Sequence, residues 1–193
     1  MRIVKIEVPV YRYAELSDSA KEAAKSNILS ITRNAQDFTD SVKHTLDVLG
    51  VEESEVYYSL GNCQGDGLCF TGRITWNKAM EISYIKNSVD KLDKVFVACC
   101  KDCVYSINFY KFNRMYNYCH TVTVEFEDSS WMHSVDFTKL KDIFLNWYEA
   151  LCAEFEKQGY KWFYEISEED VAEYCNNNDI EFTADGNVFI EPT

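Results

Sequence analysis

The chain has 193 residues, and its 15% of aromatic side chains exclude an intrinsically disordered protein, because disordered segments are poor in aromatic residues. The net charge of −13 repels phosphate groups and therefore disfavours direct binding of nucleic acid. With only two prolines and seven glycines, no segment has the composition of a linker, so we predict a single acidic α+β domain over residues 1–193.

The first half of the chain predicts a strand, two helices and a hairpin. Charged and apolar residues alternate over residues 3–13, which is typical of a half-buried strand. Ser17 or Ser19 can cap a first helix, and a second helix fits about residues 39–49. From residue 55 the apolar period changes to two on both sides of a glycine-rich turn, and this pattern predicts a β-hairpin.

The second half predicts further strands and the longest helix. A helix over about residues 78–91 precedes three segments rich in β-branched and aromatic side chains, which favour strands. Apolar residues recur at spacings of three and four over about residues 138–158, which predicts the longest helix. Ser167 opens a last short helix, and a small hairpin follows it. The three strands and the small hairpin are expected at residues 95–99, 104–112, 116–126 and 180–190.

These elements predict an α+β fold with one mostly antiparallel sheet of about five or six strands, packed against the long helix and the shorter helices. The N-terminus does not have the pattern of a signal peptide, and no apolar run approaches the roughly 20 residues that cross a bilayer. We therefore expect a cytoplasmic protein without membrane contact. In that compartment the eight cysteines are expected to be thiols.

The C-terminal segment is strongly acidic. Residues 151–193 hold eleven acidic side chains against Lys157 and Lys161. One interpretation is a solvated face, and the other is that carboxylates held at fixed positions imitate phosphates and bind a basic groove. The candidate partner-binding residues are Glu168, Glu169, Asp170, Glu173, Asp179, Glu181 and Asp185, with Asp66 at the tip of the predicted hairpin.

The Gln64-Gly65-Asp66-Gly67 turn has a structural and a functional interpretation. Glycine permits positive φ, and an Asp side chain can bond its own backbone, so a plain hairpin turn accounts for the motif. The backbone amides could also bind an anion, or Asp66 could face a basic partner. The turn lacks the Lys-Ser/Thr of a phosphate-binding loop and opens no helix, which argues against nucleotide binding there.

The cysteines give weak signals for metal or redox chemistry. Cys100 and Cys103 form one CxxC pair, and a closed zinc site would need two more ligands, for which Cys119 and His120 are the nearest candidates. We favour cysteines that pack as small hydrophobic residues in strands, and we predict no metal and no cofactor. Cys63 and Cys69 flank the turn and could pair, but a reducing compartment disfavours the disulfide. A nucleophile and base could be drawn from Cys119 or Cys63 with His120, but Cys119 and His120 cannot be partners if both lie in a strand, because adjacent side chains then point to opposite faces.

Four segments carry a resemblance to a known family. They are the helix start Glu15-Leu16-Ser17, the hairpin from Tyr58 through Gln64-Gly65-Asp66-Gly67 to Gly72, the strand with Tyr116 and His120, and the tail over residues 160–186. Together they resemble a family of small proteins encoded by bacteriophages and prophages, for which no enzymatic activity is established. The resemblance implies an accessory protein of a mobile element that binds and disables host defence machinery.

The leading hypothesis is a non-enzymatic, phage-encoded anti-defence protein in the cytoplasm of the bacterial host. It would bind a host nuclease with a basic nucleic-acid groove, a CRISPR effector being one candidate, and its acidic surface would compete with nucleic acid.

Two alternatives stay open. The first is an enzyme or small-molecule-binding protein with a pocket formed by Gln64, Asp66 and His120. The second is a nucleic-acid-binding module in which tyrosines stack on bases beside basic side chains. Its basic residues would be Lys86, Lys91, Lys94, Lys111 and Arg114.

Overall fold

The computed structural model describes residues 7–112, 115–128 and 136–191. Its architecture is α+β, with helices and one antiparallel sheet, as predicted. Within those residues the sheet has four strands in the order β1-β2-β3-β4, which is fewer than the five or six predicted. The strands are β1 (Val51–Ser59), β2 (Gly67–Thr75), β3 (Val104–Lys111) and β4 (Val122–Asp128).

The chain forms two compact units. Unit 1 consists of Met1–Ala35 and Tyr160–Thr193, so the two ends of the sequence build it together. Unit 2 is the continuous segment Gln36–Gly159 and contains the sheet. The single domain over residues 1–193 stays a prediction.

The inner face of the sheet in unit 2 packs against α6 (Thr138–Tyr164), the longest helix of the described chain. The Tyr148 ring lies 4.5 Å from the Phe70 ring and stacks on the Phe109 ring at 5.2 Å, measured between centroids. Phe144 contacts Phe126 of β4 at 5.8 Å. Phe70, Phe109, Phe144 and Tyr148 are buried because the apolar positions of α6 recur at helical spacing and those of the strands alternate.

The β1–β2 hairpin and the β3 strand lie close to where the sequence predicts them, whereas one predicted strand is wrong and two other predicted elements differ in their bounds. The predicted helix over residues 78–91 is two helices, α3 (Trp76–Ala79) and α4 (Ser83–Val89). The predicted strand over residues 95–99 lies in the helix α5 (Lys94–Cys103). The Asp93 side chain caps α5 by accepting hydrogen bonds from the amides of Val95 and Phe96. The predicted strand over residues 116–126 begins only at Val122, because a 3-10 turn over Cys119–Thr121 precedes it.

The remaining helix of unit 2 starts at the boundary of the units. α2 (Ala35–Val48) buries Phe38, Val42 and Leu46, and the Phe38 ring meets the Tyr58 ring of β1 edge-on at 5.2 Å. This agrees with the second helix predicted for residues 39–49, which begins four residues earlier in the structure.

Unit 1 packs two capped helices around one apolar cluster. Ser17 caps α1 (Asp18–Thr32) and Ser167 caps α7 (Glu168–Asn177), as the sequence predicts. The strand predicted for residues 3–13 lies partly outside the described residues, and within them Tyr11 makes a single bridge to Phe182. Phe182 also bridges Val188, which agrees with the predicted small hairpin. The buried cluster consists of Tyr13, Leu16, Ala20, Ala24, Ile28, Val171, Cys175 and Phe182.

In the part of the chain that the structure describes, no helix combines the length and the apolar character that a membrane crossing requires.

Candidate functional site

The first turns of α7 present the densest group of predicted site residues. The Ser167 hydroxyl accepts a hydrogen bond of 3.0 Å from the Asp170 amide, and Val171 and Cys175 are buried in the core of unit 1. The opposite side of the helix therefore faces solvent and carries Glu169 and Glu173. Acidic side chains in the first turn are favourable because they interact with the positive end of the helix dipole.

Basic side chains from the N-terminal segment of unit 1 pair with three of the predicted carboxylates. The Lys21 ammonium lies 3.4 Å from the Glu168 carboxylate. The Arg12 guanidinium lies 3.3 Å from Asp179 and 3.9 Å from Glu181. These pairs reduce the acidic excess of the C-terminal segment, because the two ends of the chain share one unit.

Two other candidate carboxylates accept hydrogen bonds within the turns on which they lie. The Asp66 carboxylate accepts hydrogen bonds from the amides of Gly61 at 2.8 Å and Cys63 at 3.1 Å. The Asp185 carboxylate accepts bonds from the Thr183 hydroxyl and from the Asn187 amide and side chain. The bond from the Thr183 hydroxyl, followed by that from the Asn187 backbone, lowers the pKa of Asp185. Both carboxylates therefore stabilise backbone turns of the hairpins on which they lie.

Glu169, Asp170 and Glu173 are the predicted site residues whose carboxylates make no ion pair or side-chain hydrogen bond within residues 7–112, 115–128 and 136–191. Glu169 and Glu173 are one helical turn apart, about 6 Å along the axis. We call these three residues the α7 acidic face. It is smaller than the acidic surface predicted from the sequence.

The three residues of the predicted pocket lie in different settings. Gln64 is exposed in the hairpin turn, and Asp66 bonds the backbone of that turn. His120 is exposed, and its Nδ1 lies 3.2 Å from the Glu149 carboxylate of α6. The pocket formed by these residues stays a prediction.

The eight cysteines are free thiols. Cys100 and Cys103 are buried on α5, and burial is the main cause that raises the pKa of Cys100 to about 11. Cys63 is exposed in the turn, whereas Cys69 is buried opposite Tyr57 in the β1–β2 ladder. Among the described residues, no three or more His, Cys, Asp or Glu side chains are arranged to hold a metal ion.

The basic residues of the predicted nucleic-acid module do not share one element. Lys86 and Lys94 are exposed on α4 and α5, and Lys91 is exposed between these helices. Lys111 ends β3, and Arg114 lies outside the described residues.

The exposed face of the sheet contains a groove of about 710 Å³ that sequence reasoning missed. The groove lies where β2 and β3 separate, since they pair only over Gly72–Thr75 and Ser106–Phe109 although both strands continue. Phe70 pairs with Val56 of β1 but has no partner in β3, and the buried Tyr148 hydroxyl bonds its backbone instead. It accepts a bond of 2.9 Å from the Phe70 amide and donates one of 2.8 Å to the Phe70 carbonyl. Its burial raises the pKa of Tyr148.

A β-bulge in β1 shapes one end of the groove. The pairing register between β1 and β2 shifts between Glu52 and Glu55, and Glu53 has a φ of 54°. Gly72 lies opposite with a φ of 147°, and a Cβ atom there would lie 2.9 Å from the Glu52 carbonyl oxygen. Bulges re-aim side chains, and here the Glu53 carboxylate turns towards Arg73, 3.2 Å away.

The cations of the groove are held in different ways. Arg73 pairs with Glu52 and Glu53, both at 3.2 Å. The Lys111 ammonium donates a bond of 2.7 Å to the Asn117 side-chain oxygen and lies 4.5 Å from the centre of the Tyr57 ring. In the described chain Lys111 makes no ion pair. The groove therefore contains a fixed positive charge that no described carboxylate neutralises.

The fold and these surfaces define an α+β protein built on a four-stranded antiparallel sheet, with an acidic helix face in one unit and a sheet groove in the other. The family model described as "Domain of unknown function (DUF8835)" matches residues 32–181, more than half of the chain. The chain therefore belongs to this family. A search of curated proteins and a search of solved structures each found no match. The family description states no activity, so the resemblance to phage-encoded proteins stays a prediction.

Proposed function

We propose that this protein is a phage-encoded anti-defence protein that binds the basic nucleic-acid groove of a host nuclease, such as a CRISPR effector, and competes there with nucleic acid. The observation that carries the proposal is the α7 acidic face, formed by Glu169, Asp170 and Glu173. The family resemblance of the hairpin and the tail supports the phage origin and the class of partner.

The setting of α7 favours binding through its carboxylates. Because Ser167 caps the helix and Val171 and Cys175 anchor it, the backbone loses little conformational freedom when a partner binds. Carboxylates that already pair with Lys21 or Arg12 would have to break those contacts first. The three carboxylates of the α7 acidic face pair with no described residue, so they can bind a partner without breaking such a contact.

The net charge of −13 extends the reach of this surface. A field of this sign attracts a basic groove at a distance and speeds association, and the effect declines as salt screens it. Binding should therefore be tighter and faster at low salt, chiefly through the association rate.

The test measures binding to purified, guide-loaded CRISPR effectors by surface plasmon resonance between about 50 and 500 mM salt, where screening changes strongly. The test variant combines Glu169→Gln, Asp170→Asn and Glu173→Gln. The matched control combines Asp47→Asn, Asp90→Asn and Asp102→Asn, which are exposed carboxylates of unit 2 and give the same change in net charge. Thermal melting of both variants verifies that they are folded.

The proposal predicts that the α7 variant loses about tenfold or more in affinity, which corresponds to about 1.4 kcal/mol. The control variant should retain its affinity within about threefold, because only long-range attraction is reduced. Equal losses in both variants would show that net charge alone acts. Binding to single-stranded or duplex DNA at about 50 mM salt, where phosphate contacts are strong, would instead favour the nucleic-acid-binding module.

A further inference from the structure

The groove on the sheet of unit 2 has large side chains along its walls and small residues on its floor. Tyr57 of β1 and Tyr110 of β3 stand on the exposed face, with 38% and 51% of their surfaces accessible. The strand between them contributes the smaller residues Thr71 and Gly72. The groove of about 710 Å³ is large enough to admit a flat ring beside these tyrosines.

Hydrogen-bond donors converge on the groove. An ammonium group has three donors, and Lys111 directs one to Asn117 and faces the Tyr57 ring, so donor capacity remains. Because the Asn117 side-chain oxygen accepts from Lys111, the amide nitrogen of Asn117 remains as a donor. Arg73 uses two of its nitrogens for Glu52 and Glu53, and its other N–H groups remain.

The groove holds one positive charge without a described carboxylate partner, in a protein whose net charge is −13. Its lining contains Arg73, which Glu52 and Glu53 neutralise, and Lys111, which makes no ion pair in the described chain. A concave surface with positive charge and unused donors is complementary to a ligand rich in acceptors. A phosphate supplies such acceptors, and a planar base supplies the surface that stacks on exposed tyrosine rings.

We propose that this groove is a nucleotide-binding site, in which Lys111 and Asn117 bind the phosphate and Tyr110 stacks on the base. The planar base with its phosphate can belong to a free mononucleotide or to a nucleotide of a single strand. The groove shares no residue with the α7 acidic face. A negative result for nucleotide binding therefore does not bear on the proposed function, and a negative result for the proposed function does not bear on nucleotide binding.

Isothermal titration calorimetry with the full chain tests the site, with AMP, GMP, CMP and UMP as probes. Inorganic phosphate, adenosine and a short thymidine oligonucleotide are titrated in parallel. The test variants are Lys111→Met, Lys111→Arg and Tyr110→Ala. Lys91→Met is the control, since Lys91 is an exposed lysine outside the groove.

We expect one site per chain for at least one mononucleotide. Lys111→Met should weaken binding about tenfold or more, because a charge-assisted hydrogen bond to phosphate is lost. Tyr110→Ala should weaken nucleotide binding at least about fivefold, because removing an aromatic side chain that stacks on a base has an effect of this size in single-strand-binding proteins. Lys111→Arg should restore most of the affinity, and Lys91→Met should leave it unchanged.

Each control ligand decides one part of the proposal. If inorganic phosphate binds as tightly as the nucleotides, the base does not contribute and the proposal is wrong. If adenosine binds as tightly as AMP, the phosphate site is wrong. Tighter binding of the oligonucleotide with the same loss in Lys111→Met supports the site and identifies the single strand as the source of the ligand. No binding by any nucleotide or oligonucleotide overturns the site.

Discussion

The α7 acidic face and the sheet groove hold their charges in opposite ways. On α7, three carboxylates extend from a packed helix and bond no described neighbour. In the groove, Lys111 is fixed by Asn117 and Tyr57, and the groove itself depends on the bulge at Glu53 and on Tyr148 beneath the sheet. A carboxylate that makes no ion pair or hydrogen bond within its own fold can bind a partner without first breaking such a contact. Substitutions that reshape the groove should therefore cost stability, whereas those on the α7 acidic face should mainly change binding.

The largest effect is expected for Gly72→Ala at the end of the groove. The added Cβ would lie 2.9 Å from the Glu52 carbonyl oxygen, and the φ of 147° is unfavourable for alanine. We expect the free energy of unfolding to fall by roughly 2 to 5 kcal/mol, measured by urea denaturation. The control is Gly65→Ala, where no atom lies within 4 Å of the added carbon. Equal effects of the two substitutions would contradict the role given to Gly72.

The next effect is expected for Tyr148→Phe, beneath the groove. Removing the hydroxyl leaves the buried amide and carbonyl of Phe70 without their partner. We expect a loss of about 1 to 3 kcal/mol in the free energy of unfolding, the usual cost of unsatisfied buried groups. Tyr84→Phe removes an exposed hydroxyl and should change stability by less than about 0.5 kcal/mol. A loss below that value for Tyr148→Phe would show that Phe70 has another partner.

A smaller effect is expected for Asp66, which the sequence analysis names as a candidate for partner binding and which bonds the backbone of its own turn in the structure. Asp66→Ala removes the acceptor for the amides of Gly61 and Cys63, which should cost about 1 kcal/mol in this partly exposed turn. Asp66→Asn keeps one oxygen and should cost less. If Asp66→Ala instead weakens effector binding with unchanged stability, Asp66 belongs to the binding surface after all.

The smallest effect concerns the pH dependence of unit 1. Hydrogen bonds lower the pKa of the folded Asp185 below its ordinary value of 3.8. The ionised Asp185 carboxylate therefore contributes fully to stability when the pH is above the ordinary pKa of 3.8. This contribution is lost as the pH falls through the lowered pKa of the folded state. The difference in melting temperature between wild type and Asp185→Asn should be constant near neutral pH and shrink below about pH 4. A difference that grows on acidification would contradict this assignment.

Local signals in the sequence predict much of the fold. Ser17 and Ser167 precede helices at the spacing of capping residues, and both caps form. The strand predicted for residues 95–99 is wrong because apolar, β-branched residues there lie on a helix that Asp93 caps and that buries Cys100 and Cys103. A short apolar run does not distinguish a strand from a buried helix.

The candidate sites could be predicted only in part, since they depend on contacts distant in sequence. The acidic excess of the tail is visible in the composition, but its neutralisation is not, because Arg12 and Asp179 are separated by 167 residues. The groove has no sequence motif. It depends on the early separation of β2 and β3 and on a hydrogen bond from Tyr148 to a strand 78 residues away.

The most direct test of the central claim is competition for the nucleic-acid groove of the effector that the protein binds. A labelled nucleic acid is first bound to this effector, and its displacement is followed by fluorescence anisotropy as the protein is added. The account predicts complete displacement by the wild type and by the Asp47, Asp90 and Asp102 control variant. The variant with Glu169, Asp170 and Glu173 neutralised should need about tenfold more protein or more. A ternary complex in which the effector holds the protein and the labelled nucleic acid together would contradict the account.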